Sequence, residues 1–179
     1  MAKREALREL QGRLAERLQQ ARTDVRAVSW LAIECAGAGL LVPLPTAGEI
    51  FAVGVVLPVP HTHRWFMGVA NLRGGLHGVV DLGAFLGLRA PIARDAVREQ
   101  ARLLAFNARS GANCAVLVDR LAGLRSPEQM TAEPAGADES TGQRPAFAGG
   151  RWRDADGRVW QELDLASLAR HEQFLAIAA

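Results

Sequence analysis

This chain has no tyrosine, and its aromatic complement is four tryptophans and six phenylalanines. A surface that stacks successive bases needs aromatic side chains set along a basic groove, so single-stranded nucleic acid is a poor partner. Charge points the same way. Lys and Arg total 21 against 19 Asp and Glu, a formal net charge of +2, with the acids interspersed instead of leaving the clustered cations of a phosphate-tracking face. Cysteine is scarce too, with two residues in all. Cys35 and Cys114 lie in strand-like runs without metal-ligand spacing and are expected as buried free thiols in a reducing cytosol. No apolar run reaches the roughly 20 residues a bilayer demands before Gly, Pro or a charge interrupts it. The opening MAKREALRELQGRLAERLQQARTD lacks the apolar centre of a signal peptide. These absences predict a cytoplasmic protein with no direct membrane insertion and no nucleic-acid partner.

The signatures of catalysis are missing as well: there is no GxSxG elbow, P-loop lysine, HExxH or dinucleotide fingerprint. RGGLHG follows one strand-like run and leads into another, so no helix N-terminus awaits a phosphate. His61, His63 and His77 offer imidazoles, but no cysteine or paired carboxylate completes a ligand set. DADG at 154 to 157 matches the opening of a calcium loop, yet Val159 stands at the glycine position and Leu165 at that of the bidentate glutamate, so it reads as a hairpin turn. Asp81 and Asp119 each close an apolar run and read as strand-end turn formers, not as an acid–base pair. The expectation is a protein that is not an enzyme and needs no metal or cofactor.

What is present is pattern. The 179 residues fit one domain or two intimately packed subdomains. Leu7, Leu10, Leu14 and Leu18 recur at helical spacing, and Glu9 precedes Arg13 by four residues, which predicts an amphipathic helical extension over 1–28. Its narrow apolar stripe suits packing on the body of the same chain or on a partner helix. From Trp30 the period becomes alternating, with breaks at AGAG, PLP, PVP and ARSGA, and the 18 glycines fit a turn-rich sandwich or small barrels. The polar run 89–102 can hold a short helix joining two halves. Residues 126–150 read as a surface loop with at most one helical turn. RVWQELDL reads as the last strand, and Asp164 can cap a helix through SLARHEQFLAIA. No internal repeat is visible.

The most informative segment is WFMGVANLRGGLHGVVDLGAFLG, from Trp65 to Gly87. It reads as two short apolar strands hinged by Arg-Gly-Gly, with Gly74 and Gly75 supplying the positive φ of the reversal and Arg73 as a fixed cation. Leu76, Gly78, Val80 and Leu82 share one face, His77, Val79 and Asp81 the other. An apolar strand entering GV-x-NLRG, a glycine turn and a strand ending in VDL resemble the CheW domain, the adaptor that couples chemoreceptors to the histidine kinase CheA. Upstream, WLAIECAGAGLLVPLPTAGEI resembles that family's first hairpin and third strand, with Glu49 where the family has a glutamate. Downstream, LLAFNARSGANCAVLVDRLAGLRSPEQM resembles the strand pair that opens its second half. The resemblance spans residues 29–178.

The resemblance implies a mostly β fold: two small five-stranded SH3-like or OB-like barrels packed together around a groove, with an N-terminal and a C-terminal helix. It implies a non-enzymatic scaffold whose partners are the regulatory domain of a CheA-type kinase and the cytoplasmic tip of a methyl-accepting chemoreceptor. The protein-binding residues it implies are Glu49, Ile50, Asn71, Arg73 and Gly74, with Leu103, Cys114 and Leu121 facing the groove where a receptor tip docks. From the residues alone, Glu49 and Arg73 are equally an ordinary exposed salt bridge worth about 0 to 1 kcal/mol, the three groove residues are equally plain core, and Trp65 and Phe66 are either core or interface anchors. Within the family, WxxGVANLRG, the FLG after VDL and the helical extension resemble adaptors of the chemosensory systems that govern type IV pilus twitching. Gly78 departs from the usual proline. A rival reading is a stand-alone small-molecule-binding β-barrel sensor, for which only Glu49 and Arg73 offer convergent polar groups.

Overall fold

The computed structural model describes residues 30–93, 96–97, 99–134 and 144–179. The helix predicted over 1–28 lies outside the described residues. Among the described residues, eleven strands form two sheets. β1 (Trp30–Cys35) and β2 (Ala38–Pro43) make a hairpin, β3 (Ala47–Ala52) follows, and β4 (Phe66–Leu72) pairs with β5 (Gly75–Asp81). A third hairpin joins β6 (Arg102–Phe106) to β7 (Cys114–Val118), followed by β8 (Arg120–Arg125), β9 (Met130–Glu133), β10 (Ala148–Asp154) and β11 (Val159–Leu163). The six-stranded sheet runs β8-β1-β2-β11-β10-β9 and the five-stranded sheet β3-β6-β7-β5-β4.

The order reveals a reciprocal insertion. The β6–β7 hairpin of the second half lies between β3 and β5 of the first, antiparallel to β3 and parallel to β5. The β1–β2 hairpin of the first half lies between β8 and β11 of the second, antiparallel to β8 and parallel to β11. The duplication is one of topology, which is why sequence periodicity does not expose it. The one local echo is at the strand ends. Asp81, the last residue of β5, and Asp164, just after β11, each N-cap a one-turn helix, α1 (Leu82–Phe85) and α2 (Leu165–Leu168), where a carboxylate satisfies amides that have no partner inside the helix.

Both faces of each sheet are covered. Leu31, Ile33, Leu40 and Val42 of one sheet meet Phe66, Val80, Leu104, Phe106, Val116 and Val118 of the other in a shared core. The outer face of the five-stranded sheet wraps Met67, Leu72, Val79, Leu103 and Leu117, and that of the six-stranded sheet wraps Trp30, Leu41, Met130 and Trp160. Period-two alternation divides each strand between two cores, which explains strands as apolar as LLAF and AVLV.

Several expectations need correction. In place of two five-stranded barrels there are sheets of six and five strands, and among the described residues no pairing joins the edges of either sheet. The loop expected over 126–150 contains a 3-10 turn at Pro127–Gln129, as allowed, but also β9, which pairs with β10. The C-terminal helix is two single turns, α2 and α3 (Glu172–Leu175), because the chain turns at 169–171 to bury Phe174 in the shared core. In the Arg-Gly-Gly hinge the residues with positive φ are Arg73 (51°) and Gly74 (85°), whereas Gly75 already belongs to β5. Two consecutive positive φ values make the two-residue turn whose twist suits a hairpin. The DADG segment is the expected hairpin turn, between β10 and β11. Phe66 is buried in the shared core, and Trp65 stacks half-buried between His63 and Phe174.

Candidate protein-docking site

The β4–β5 turn positions Arg73. Asn71 fixes it from below, its side-chain oxygen accepting the Gly74 amide at 2.7 Å. The guanidinium leaves the turn across the sheet end, where Arg73 Nη1 donates to Glu49 Oε1 at 2.8 Å, and lies 6.0 Å from the Phe51 ring centroid. Both side chains remain open, at 75 % and 54 % exposure. Solvent screening keeps such a pair to a small contribution to folding, so a charged, oriented and exposed pair is available for a partner. A surface pocket of about 430 Å³ adjoins it, lined by Glu49, Phe51, Arg73, His77, Phe106 and Asn107. Ile50, the next residue of β3, is 42 % exposed. Glu49, Ile50, Asn71, Arg73 and Gly74 therefore gather at one end of the five-stranded sheet.

The three residues expected to share a groove are not together. Leu103 is fully buried in the outer core of the five-stranded sheet, opposite Phe51 in the β3–β6 register. Cys114, beside Gly78, and Leu121, beside Ile33, are half-buried against the shared core between the sheets. The alternation that sends Leu104 inward to the shared core sends Leu103 to the other face. Both cysteines are free, and burial pushes the Cys35 thiol up to about 12 and raises that of Cys114, so neither offers a thiolate at neutral pH.

One cluster was not anticipated. Asp81 is a buried charged residue, and Arg89 Nη2 lies 2.8 Å from its Oδ1 and 3.3 Å from Asp119 Oδ1. Asp81 also accepts the amides of Ala84 and Ile92, and Asp119 that of Ala36 in the β1–β2 turn. The two aspartates read separately as turn formers are thus joined by one arginine into a clamp spanning both sheets. Two apolar strands that each end in Asp, with a lone Arg in the GLRAP linker, was the available signal. Gly83 makes room for it: a Cβ there would collide with the Arg89 guanidinium.

On the six-stranded sheet Glu34 takes the fork of Arg120, with Nε 2.5 Å from Oε2, and a further hydrogen bond from Arg158. The Arg120 hydrogen bonds, helped by Arg158 and opposed in part by burial, hold the Glu34 carboxyl below the usual carboxylate range. Its folded pKa lies under the unfolded one, so the stabilisation is complete above the unfolded pKa and fades as pH falls through the lowered value. The midpoint of urea unfolding should therefore drop more steeply from about pH 5 to about pH 3 in the native protein than in Glu34→Gln; parallel curves would remove this cluster from the acid response.

No helix among the described residues is long and apolar enough to cross a membrane. Among solved structures, the scaffolding protein TtCheW from Thermoanaerobacter tengcongensis shares the fold at a TM-score of 0.60 and 16 % identity, over 78 % of this chain and 85 % of that one. Protein PilI of Pseudomonas aeruginosa is 27 % identical over 167 residues, 93 % of this chain and 89 % of the relative. The sequence pattern of the CheW-like domain matches residues 29–173, which takes in both interlocked sheets and the Glu49–Arg73 pair, and the chain belongs to the CheW-like domain family.

Proposed function

We propose that this protein is a non-catalytic adaptor that couples a chemoreceptor to a CheA-type histidine kinase in the cytoplasm, in a pathway that controls type IV pilus twitching. The observation that carries the reading is the exposed Glu49–Arg73 pair, held by the Asn71-braced turn at a sheet end in a chain of the CheW-like family. The pilus assignment is supported by the similarity to PilI over nearly the whole of both chains. Residues 29–178 form the adaptor body and 1–28 an extension. The kinase regulatory domain is assigned to the Glu49, Ile50, Asn71, Arg73 and Gly74 surface. The receptor tip is assigned to the surface around Cys114 and Leu121, half-buried against the shared core, with Leu103 supporting the five-stranded sheet from its other face.

Glu49→Ala and Arg73→Ala should each weaken kinase or receptor-tip binding by about 2 to 5 kcal/mol while the fold persists, because removing one member strands a charge that becomes desolvated in the complex. If each side chain holds the other in place, the double variant loses scarcely more than either single one. Isothermal titration of the four proteins against the kinase regulatory domain and a receptor-tip fragment measures this. Native affinity for both partners in both single variants would sink the assignment.

A further inference from the structure

Residues 53–60, VGVVLPVP, contain no polar side chain, yet Val55 is 80 % exposed, Leu57 59 % and Val59 37 %. Val53 and Val56 turn inward onto the core of the five-stranded sheet. An uncharged outward strip of this length is uncommon on a protein surface without a partner. It is also firmly held, since Leu57 gives its N–H to the Val69 carbonyl and takes the Val69 N–H in return, both at 2.8 Å.

The backbone restricts what can cover it. Leu57 spends both polar groups on β4, so the outward groups belong to its neighbours Val56 and Pro58, and Pro58 has no N–H to offer. Pro60 repeats the block two residues on. An added strand would leave its own carbonyls unpaired here. A partner must bring a backbone already satisfied, as a helix does, and cover the strip with an apolar stripe.

Charge selects among helices. At the end of the strip Arg64 forms no ion pair with any described residue, and exposed His63 stacks on Trp65. They flank a socket of about 450 Å³ whose walls include Val59, Phe66, Pro91 and Ile92 and, among the described residues, no carboxylate. We propose that the 53–64 face docks an acidic amphipathic helix of a partner protein. Its apolar stripe lies on Val55, Leu57 and Val59, one apolar side chain enters the socket, and its carboxylates meet Arg64 and His63. This surface is separate from the Glu49–Arg73 pair and does not depend on the proposed function.

A display library of random 20-residue peptides, selected on the full-length protein and counter-selected on Leu57→Asp, tests it. Peptides specific to the native face should be helical, acidic on one side and apolar on the other. In fluorescence titration they should bind at least tenfold more weakly to Leu57→Asp, more weakly to Arg64→Glu, and unchanged to Arg73→Ala. Unaltered thermal unfolding of Leu57→Asp separates loss of docking from loss of fold. Enrichment of extended or basic peptides, or no enrichment, overturns the proposal. So does concentration-dependent dimerisation abolished by Leu57→Asp, which assigns the strip to a second copy. A gain of at least tenfold in peptide affinity on introducing Leu10→Asp and Leu14→Asp would assign it to the chain's own N-terminal segment instead.

Discussion

Replacing Asp81 by alanine should cost about 3 to 5 kcal/mol of folding stability, because it removes one member of a buried charge network and leaves the others unbalanced. The substitution also takes away the cap of α1 and the acceptor of the Ile92 amide. Arg89→Met should cost a similar amount by the opposite route, stranding a carboxylate whose side chain is 1 % exposed. Both changes break one clamp, so the double variant Asp81→Ala/Arg89→Met should be far less destabilised than the sum. In a domain of this size each single change lowers the calorimetric midpoint by about 6 to 20 °C. Strictly additive losses would show that the aspartate and the arginine act independently.

Gly68→Ala should be nearly as damaging, at about 3 kcal/mol or more. Gly68 sits at φ 132°, where an L side chain is strained, and a Cβ there would collide with the Leu57 carbonyl. The Leu57–Val69 bonds must then open, and the 53–60 strip should lift from β4. Hydrogen exchange at the Leu57 and Val69 amides would report this directly: both should lose protection, while amides of β1 and β2 keep theirs. Retained protection at Leu57 would mean that the strip is held by Val53 and Val56 alone.

How far the fold was legible in the sequence follows from the range of each interaction. The β4–β5 hairpin, its NLRG turn and the cap at Asp164 are local, and the residues announce them, whereas Asp81 reads only as a strand-end turn former and its capping of α1 emerges in the structure. The choice of Arg73 over Gly75 for the positive φ was missed, since a non-glycine residue takes that conformation only when the hairpin twist repays the strain. β9 escaped because its four residues, MTAE, alternate too briefly and draw order from pairing with β10. The C-terminal apolar spacing was read as one helix, but burial of Phe174 against Phe106 and Trp65 prevails over local helix preference. At the site, Glu49 and Arg73 were identified by family resemblance; their spacing of 24 residues holds no periodic signal. Leu103 was placed on the wrong face for a groove because alternation shows that two faces exist without showing which core each one meets. The Arg89 clamp is invisible to local reading for the same reason: Arg89, Asp81, Asp119 and Ala36 meet only after two sheets have formed.

The reciprocal hairpins limit how this molecule can move. Each half surrenders one hairpin to the other's sheet, so neither half owns a complete sheet, and parting them would break β3–β6, β5–β7, β1–β8 and β2–β11 together. A hinge between the halves is therefore as costly as global unfolding. Whatever is attached at Arg73 and whatever is attached at the six-stranded sheet are held at a constant spacing and angle, as by a dowel through two boards. An assembly built on such a part would transmit a push from one neighbour to the next as displacement of the whole body, with little absorbed by the joint.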